Sequence, residues 1–183
     1  LAVAAAFGLP IALMPAAPIA ATGRVLYVDQ HNHACSNSGS GTARRPFCTV
    51  AAAALKVRRG QTVRVAAGSY AEEVRVSRSG TSGAPIVFAA APRAKVIVHG
   101  RRSGFTITGR SWVTVTGFTV AKTTSYGIAV SKSSHVTLAN NQVSYSGRPG
   151  LNSYGIRLSN VTNSLVTNNT VDHNTNSGIA LVD

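Results

Sequence analysis

The chain has 183 residues, 44% of them apolar and 13% charged, which is enough for one ordinary hydrophobic core and excludes both a disordered tail and a miniprotein held by disulfides alone. Lys and Arg number 18 against 5 Asp and Glu, a formal charge of +13, so surface partners are expected to be acidic. The charge is uneven: 14 of the 18 basic residues lie between Arg24 and Arg110, and four follow.

Residues Leu1 to Ala21 carry no polar side chain, and Pro10, Pro15 and Pro18 interrupt them too often for a membrane-spanning helix. The apolar block followed by Ala20-Ala21 predicts a secretory signal peptide over residues 1–21, with a buried hydrophobic segment as the alternative. A signal peptide opens with Met and basic residues whereas this chain opens with Leu1, so the peptide is expected to be incomplete at its front. The expected localisation is secreted and extracellular, with no membrane attachment after cleavage.

Residues 22–61 are expected to form an N-terminal cap. Cys35 and Cys48, thirteen positions apart around a Gly/Ser-rich loop, suit a disulfide in an oxidising compartment. Closing so short a loop would contribute roughly 3 kcal/mol in the chain-entropy picture. A metal site of His31, His33, Cys35 and Cys48 is the alternative, although its spacing matches no familiar zinc pattern. A short Ala-rich helix is predicted from Cys48 to Lys56, opened near Thr49 or Pro46 and ended by Gly60. Thr62 to Ala66 then alternates as a strand, Gly68-Ser69-Tyr70 is expected to turn, and Val74–Val76, Ile86–Ala89 and Val96–Val98 are further short strands.

The second half repeats. Val113-Thr114-Val115-Thr116-Gly117-Phe118-Thr119-Val120 aligns with the blocks starting at Val136 and Ser164, at offsets of 23 and 28 residues. Each copy is followed by a second block: Tyr126-Gly127-Ile128-Ala129-Val130, Tyr154-Gly155-Ile156-Arg157-Leu158 and Ser177-Gly178-Ile179-Ala180-Leu181. The basic period is 23, with five residues inserted around Arg148-Pro149-Gly150. Short strands at this period, without a helix, predict an all-β fold, a parallel β-helix over residues 62–183, in which each strand pairs with its copy one coil later. Alternation sends Ile128, Val130, Ile156, Leu158, Ile179 and Leu181 inward and Ala129, Arg157 and Ala180 outward. Gly117, Asn140 and Asn168 share a position suited to a left-handed corner, where stacked Asn side chains would hydrogen-bond from coil to coil. The third copy stops inside its strand at Asp183, so the repeat is expected to be truncated at its C-terminus.

With these blocks in view, the chain resembles the secreted right-handed parallel β-helix proteins of the pectate-lyase-like superfamily. The segments Tyr27-Val28-Asp29, Pro46 to Ala53, Gly60 to Val63, Ala67 to Glu73 and Ser79 to Ile86 look like their cap and first coils, and the Gly-Ile-x-Leu and Val-Thr-x-x-Asn-Asn blocks look like their generic coil. The resemblance implies a right-handed solenoid that acts on or holds polysaccharide. Its lyases work by β-elimination, with calcium or basic groups neutralising a uronate carboxylate. Calcium needs several carboxylates, and the repeat region offers Asp172 and Asp183 alone; no metal is assigned, and calcium enters only if its ligands lie downstream.

The alignment puts one candidate binding surface in register. Lys122, Tyr145 and His173 share a turn before the Gly-Ile strand, Ala129, Arg157 and Ala180 form its floor, Lys132, Asn160 and Asp183 follow it, and Arg148 rises from the insertion. Tyr145 as a stacking face and Arg157 as a bidentate carboxylate partner, with Lys122, Lys132 and Arg148 on the banks, suit an extended acidic sugar chain; the alternative is a row of solvated turn residues. Glu72-Glu73 reads as a solvated edge rather than a catalytic pair, because neighbours in a strand face opposite ways. Arg44-Arg45, Arg58-Arg59 and Arg101-Arg102 are too scattered for a nucleic-acid module. His99 and His135 are expected to be structural. The function expected from the resemblance is the N-terminal part of a monomeric polysaccharide lyase on a uronate polymer, its catalytic residues beyond residue 183; the rival is a non-catalytic surface adhesin or binding scaffold.

Overall fold

The computed structural model describes residues 23–182; the expected signal peptide over residues 1–21 and the outer position of Asp183 lie outside them. In chain order the elements are β1 (Val25–Val28), α1 (Val50–Lys56), β2 (Thr62–Val65), β3 (Gly68–Tyr70), β4 (Val74–Val76), β5 (Ile86–Ala90), β6 (Val96–His99), β7 (Ser103–Thr108) and β8 (Ser111–Thr116). They continue with β9 (Thr119–Ala121), β10 (Tyr126–Ala139), β11 (Gln142–Ser144), β12 (Tyr154–Thr162), β13 (Leu165–Thr167), β14 (Thr170–Asp172) and β15 (Ser177–Val182). The pairings between these strands are parallel, so the chain winds as a β-solenoid with one short helix.

Each complete coil has three faces. The first carries β4, β7, the start of β10, β12 and β15; the second carries β1, β2, β5, β8, the end of β10 and β13; the third carries β3, β6, β9, β11 and β14. The first face stacks Val74, Phe105, Ile128, Ile156 and Ile179 in one column, and Val76, Ile107, Val130, Leu158 and Leu181 in the next. Ile128 and Ile156 are fully buried, as the alternation requires. In the last described rung Ile179 is 45% and Leu181 82% exposed, because no described strand covers that end. The second face contributes Leu26, Val63, Phe88, Val115 and Leu138, and the third Tyr70, Val98, Val120 and Val143. Phe88, Phe105 and Phe118 join the faces through edge-to-face contacts at 6.2 and 4.9 Å. Burying each such aliphatic side chain stabilises the fold by about 1.5–3 kcal/mol, and stacking identical positions repeats that gain coil by coil.

The corner at Gly117, Asn140 and Asn168 is left-handed, with φ of 80°, 55° and 52°. The coil-to-coil side-chain bonds, however, form one position later. Buried Asn141 accepts from Phe118 N at 3.1 Å and donates through Nδ2 to Val115 O and Asn169 Oδ1, both at 3.0 Å. Asn140 is exposed, since the left-handed residue projects outward and its successor turns in.

Other expectations shift. Gly68–Tyr70 is a strand, not a turn: its three residues pair with Val96–Val98, and Tyr70 is buried. The helix starts at Val50 with Thr49 as its cap and ends at Lys56 with Val57, before Gly60. The sheet starts at Val25, because β1 pairs with β2 ahead of the first expected strand. Cys35 and Cys48 are joined in a disulfide, which removes both thiolates from any metal site with His31 and His33. His99 accepts or donates at Ser69 Oγ, 2.9 Å away, and His135 stacks on Trp112 at 3.9 Å. No helix among the described residues is long and apolar enough to cross a membrane.

Candidate functional site

The outer side of the first face is fixed by the inner one. Because Val74, Phe105, Ile128 and Ile156 point inward, their successors Arg75, Thr106, Ala129 and Arg157 point outward, in one aligned column with Ala180. Rungs about 4.8 Å apart place Arg75 and Arg157 about 14 Å from each other. An open groove of about 610 Å³ runs along this column. Tyr126, Ser103, Arg102 and Glu73 lie along it with Ser77, Thr108, Arg110 and Ser131, and the exposed Leu55 of α1 also reaches it.

Aromatic and charged groups meet at its Arg157 end. Tyr126 and Tyr154, paired in register with Ser103 and Ser177, stack with centroids 6.1 Å apart and planes within 5° of parallel. The Arg157 guanidinium lies over the Tyr126 ring at 5.5 Å. A ring face and a planar guanidinium side by side offer one surface for a sugar ring and one fork for a carboxylate. At the other end, Glu73 Oε1 accepts from Arg75 Nε at 3.2 Å and from Thr106 Oγ1 at 3.0 Å. Glu73 is the one carboxylate lining the groove, against Arg75, Arg102, Arg110 and Arg157.

Glu72 faces the opposite way. Its carboxylate accepts from Val50 N and Ala51 N, each at 2.8 Å, and so satisfies the first turn of α1 rather than forming a solvated edge. Burial pushes its pKa up, against the two backbone hydrogen bonds that pull it down. No three His, Cys, Asp or Glu side chains lie together among the described residues. The groove's lone carboxylate stands among four arginines, so these residues do not fit a calcium ion.

The residues singled out in the sequence divide. Arg157 lines the groove; Lys122, Lys132, Tyr145 and Arg148 do not. Lys122 and Tyr145 occupy a left-handed corner with His173, at φ of 53°, 53° and 49°, and Tyr145 stacks on His173 at 5.1 Å. Lys132 is exposed at a further left-handed corner, at φ 48°, and Arg148 is exposed in the insertion. The groove's other cations, Arg75, Arg102 and Arg110, come from earlier coils. Their signal was available: Ser103-Gly104-Phe105-Thr106-Ile107 precedes Tyr126-Gly127-Ile128-Ala129-Val130 by the same 23 residues, with Phe105 where the later copies have Ile.

With this geometry in hand, residues 26–180 match the family described as Pel9A-like, right handed beta helix region. The chain belongs to that family. A Bacillus subtilis (strain 168) protein, the uncharacterized YwoF, is 30% identical over 138 residues, covering 67% of this chain and 29% of its own length. Among solved structures, pectate lyase Pel9A is similar with a TM-score of 0.65 and 18% identity over 87% of this chain and 50% of that one. The GH136 lacto-N-biosidase from Eubacterium ramulus is similar with a TM-score of 0.65 and 13% identity over 79% of this chain and 34% of that one. At these identities the structural likeness is one of fold, a right-handed parallel β-helix. The chain spans less than a third of the curated relative and half or less of these two structures.

Proposed function

We propose that this chain is the substrate-gripping portion of a secreted polysaccharide lyase that acts on a uronate polymer. One observation carries the reading: the Arg157 guanidinium set over Tyr126, itself parallel to Tyr154, at one end of a groove whose other cations are Arg75, Arg102 and Arg110. The tyrosine ring suits a pyranose ring, and the guanidinium suits the carboxylate that such a ring carries. Pairing that carboxylate with Arg157 acidifies the proton on the adjoining ring carbon. In β-elimination a base takes this proton, the electron pair forms a carbon–carbon double bond, and the glycosidic oxygen leaves with a proton. The described groove lining holds Glu73 but no Lys or His, and Glu73 is engaged by Arg75 and Thr106. The reading therefore assigns the base to coils outside residues 23–182. Incubating the full-length protein that carries those coils with pectate or alginate tests it: unsaturated product absorbing in the ultraviolet supports a lyase, and silence across a panel of acidic polysaccharides counts against it. A non-catalytic polysaccharide-binding scaffold is the second reading, favoured by the engagement of that lone carboxylate; it predicts saturable binding of the same polymers without product.

A further inference from the structure

The groove does not exhaust the basic surface. A second opening, of about 660 Å³, is framed by Arg58, Arg59, Arg78, Ser79, Gly80 and Thr81. Two loops build it, and both are tied down by backbone hydrogen bonds. In the first, which leaves α1, Arg58 N donates to Gln61 Oε1 at 2.8 Å and Gln61 N donates back to Arg58 O at 3.1 Å. In the second, Thr81 and Ala84 exchange N–H···O bonds at 3.1 and 3.0 Å, Gly80 N donates to Ser111 O at 2.9 Å, and Ser111 N donates to Ser79 Oγ at 3.1 Å. The loops are joined to each other, since Gly60 N donates to Ala84 O at 2.9 Å and to Pro85 O at 3.1 Å. Gly80 lies flush on the neighbouring coil and on its own loop: a Cβ there would stand 2.5 Å from Trp112 O and 2.7 Å from Pro85 Cα. Three long cations thus start from fixed backbone positions around one opening, which lowers the ordering cost of a shared ligand.

Among the described residues their charge has no carboxylate counterpart. The Arg75–Glu73 ion pair and the His173–Asp172 contact, the two such contacts among the described residues, include none of the three. The remaining described carboxylates are used elsewhere, Asp29 by His31 N and Glu72 by the first turn of α1. No carboxylate and no aromatic ring lines the opening, in contrast to the groove. What it presents is three guanidinia and the hydroxyls of Ser79 and Thr81; Ser79 Oγ accepts from Ser111 N, which leaves its own proton to donate. Such a set lacks the stacking face a sugar ring uses and matches a compact anion with several acceptor oxygens, to which guanidinia bind in a fork.

We propose that this opening binds a tetrahedral oxyanion, the phosphate or sulfate group of an anionic glycan, at a site separate from the groove. The test is calorimetric titration of the protein with inorganic phosphate and, separately, inorganic sulfate at low ionic strength. The Arg58→Gln/Arg78→Gln variant is compared with Arg157→Gln in the groove and with the charge-matched Arg44→Gln/Arg45→Gln control in the exposed cap loop. Saturable binding at one site is expected, weakened about tenfold or more in Arg58→Gln/Arg78→Gln and less than about twofold in the other two variants. All these substitutions are at solvent-facing side chains, and an unchanged thermal midpoint verifies that the fold is retained. Tighter binding of either anion supports the site and names the ester it prefers. Equal losses in Arg44→Gln/Arg45→Gln would reduce the site to diffuse charge, a loss in Arg157→Gln would move the anion into the groove, and a titration that never saturates would remove the site altogether. Because Arg157→Gln is a separate arm, failure of this site leaves the groove reading standing, and the reverse.

Discussion

The guanidinium carbon of Arg157 sits 5.5 Å from the centre of the Tyr126 ring, one coil back along the solenoid. This contact holds a long side chain against the sheet instead of leaving it free in solvent, so its fork is oriented before a ligand arrives. Arg157→Ala is expected to weaken oligouronate binding by about tenfold, and Arg157→Lys to recover only part of it, because an ammonium keeps the charge but loses both the planar stack and the bidentate fork. Titration at two salt concentrations measures this. Wild-type affinity should fall as salt rises, since exposed guanidinia contribute to it; identical affinities for wild type and Arg157→Ala would remove Arg157 from the binding surface.

How much of this was legible depended on which side of the strand carried the signal. The inward columns through Ile128, Ile156 and Ile179 were readable because aliphatic side chains recur at a fixed period and burial tolerates little else. The outward column was readable where the blocks looked alike, at Ala129 and Arg157, and lost at Arg75 and Thr106, where Phe105 disguises the copy and residues 77–85 lengthen the preceding coil. The tyrosine stack was visible as a repeated Tyr-Gly-Ile, but a strand's first residue gives no clue in sequence to the side its ring takes. Glu72 was beyond reach for another reason: its partners are backbone amides 21 and 22 residues away, which have no side-chain signature. The Asn ladder lies one position after the corner that the sequence marks, because Gly117 and Asn140 share the left-handed position while the buried successor Asn141 carries no such conformational mark.

Asn141 ties three coils together. Its Oδ1 accepts from Phe118 N, its Nδ2 donates to Val115 O and Asn169 Oδ1, and its own N–H donates to Asn169 Oδ1 at 2.9 Å. Asn141→Ala strands a buried amide and a buried carbonyl at once, and is expected to destabilise the fold by about 2–4 kcal/mol. Asn141→Asp keeps the acceptor but loses the two Nδ2 donations and should also be destabilising. Urea unfolding followed by circular dichroism is the measurement, and a loss below about 0.5 kcal/mol for Asn141→Ala would show the ladder to be dispensable.

Gly127 opens the repeated Gly-Ile block for a packing reason. A Cβ there would collide with Val143 Cγ1, 2.6 Å from Gly155 O and 2.9 Å from Ser146 Oγ. Two of these neighbours belong to the packed corner behind the strand and the third is backbone of the next coil, so none can move cheaply. Gly127→Ala is expected to cost about 2–3 kcal/mol in denaturant unfolding. Gly83→Ala is the contrast, because nothing lies within 4 Å of the added carbon; its stability should be unchanged or raised by up to about 1 kcal/mol. Equal effects of the two substitutions would contradict the close approach between coils.

Glu72 predicts a pH dependence whose sign separates burial from ion pairing. Burial raises its pKa from 4.5, so the native state holds this proton more tightly than the unfolded chain does. The corresponding stability is fully present below the unfolded value and is lost as pH rises through the raised native value. A carboxylate held by an ion pair would do the reverse. Glu72→Gln cannot titrate, so the stability of wild type relative to Glu72→Gln should be greatest near about pH 4 and shrink as pH rises above the ordinary glutamate range. At neutral pH the carboxylate accepts from Val50 N and Ala51 N, and Glu72→Ala leaves those first-turn amides without it. That variant is expected to be less stable than wild type by about 1–2 kcal/mol at neutral pH. Denaturant unfolding of the three proteins across the series measures both effects. A wild-type advantage over Glu72→Gln that grew with rising pH would mean that the hydrogen bonds from α1 outweigh burial and hold the carboxylate ionised.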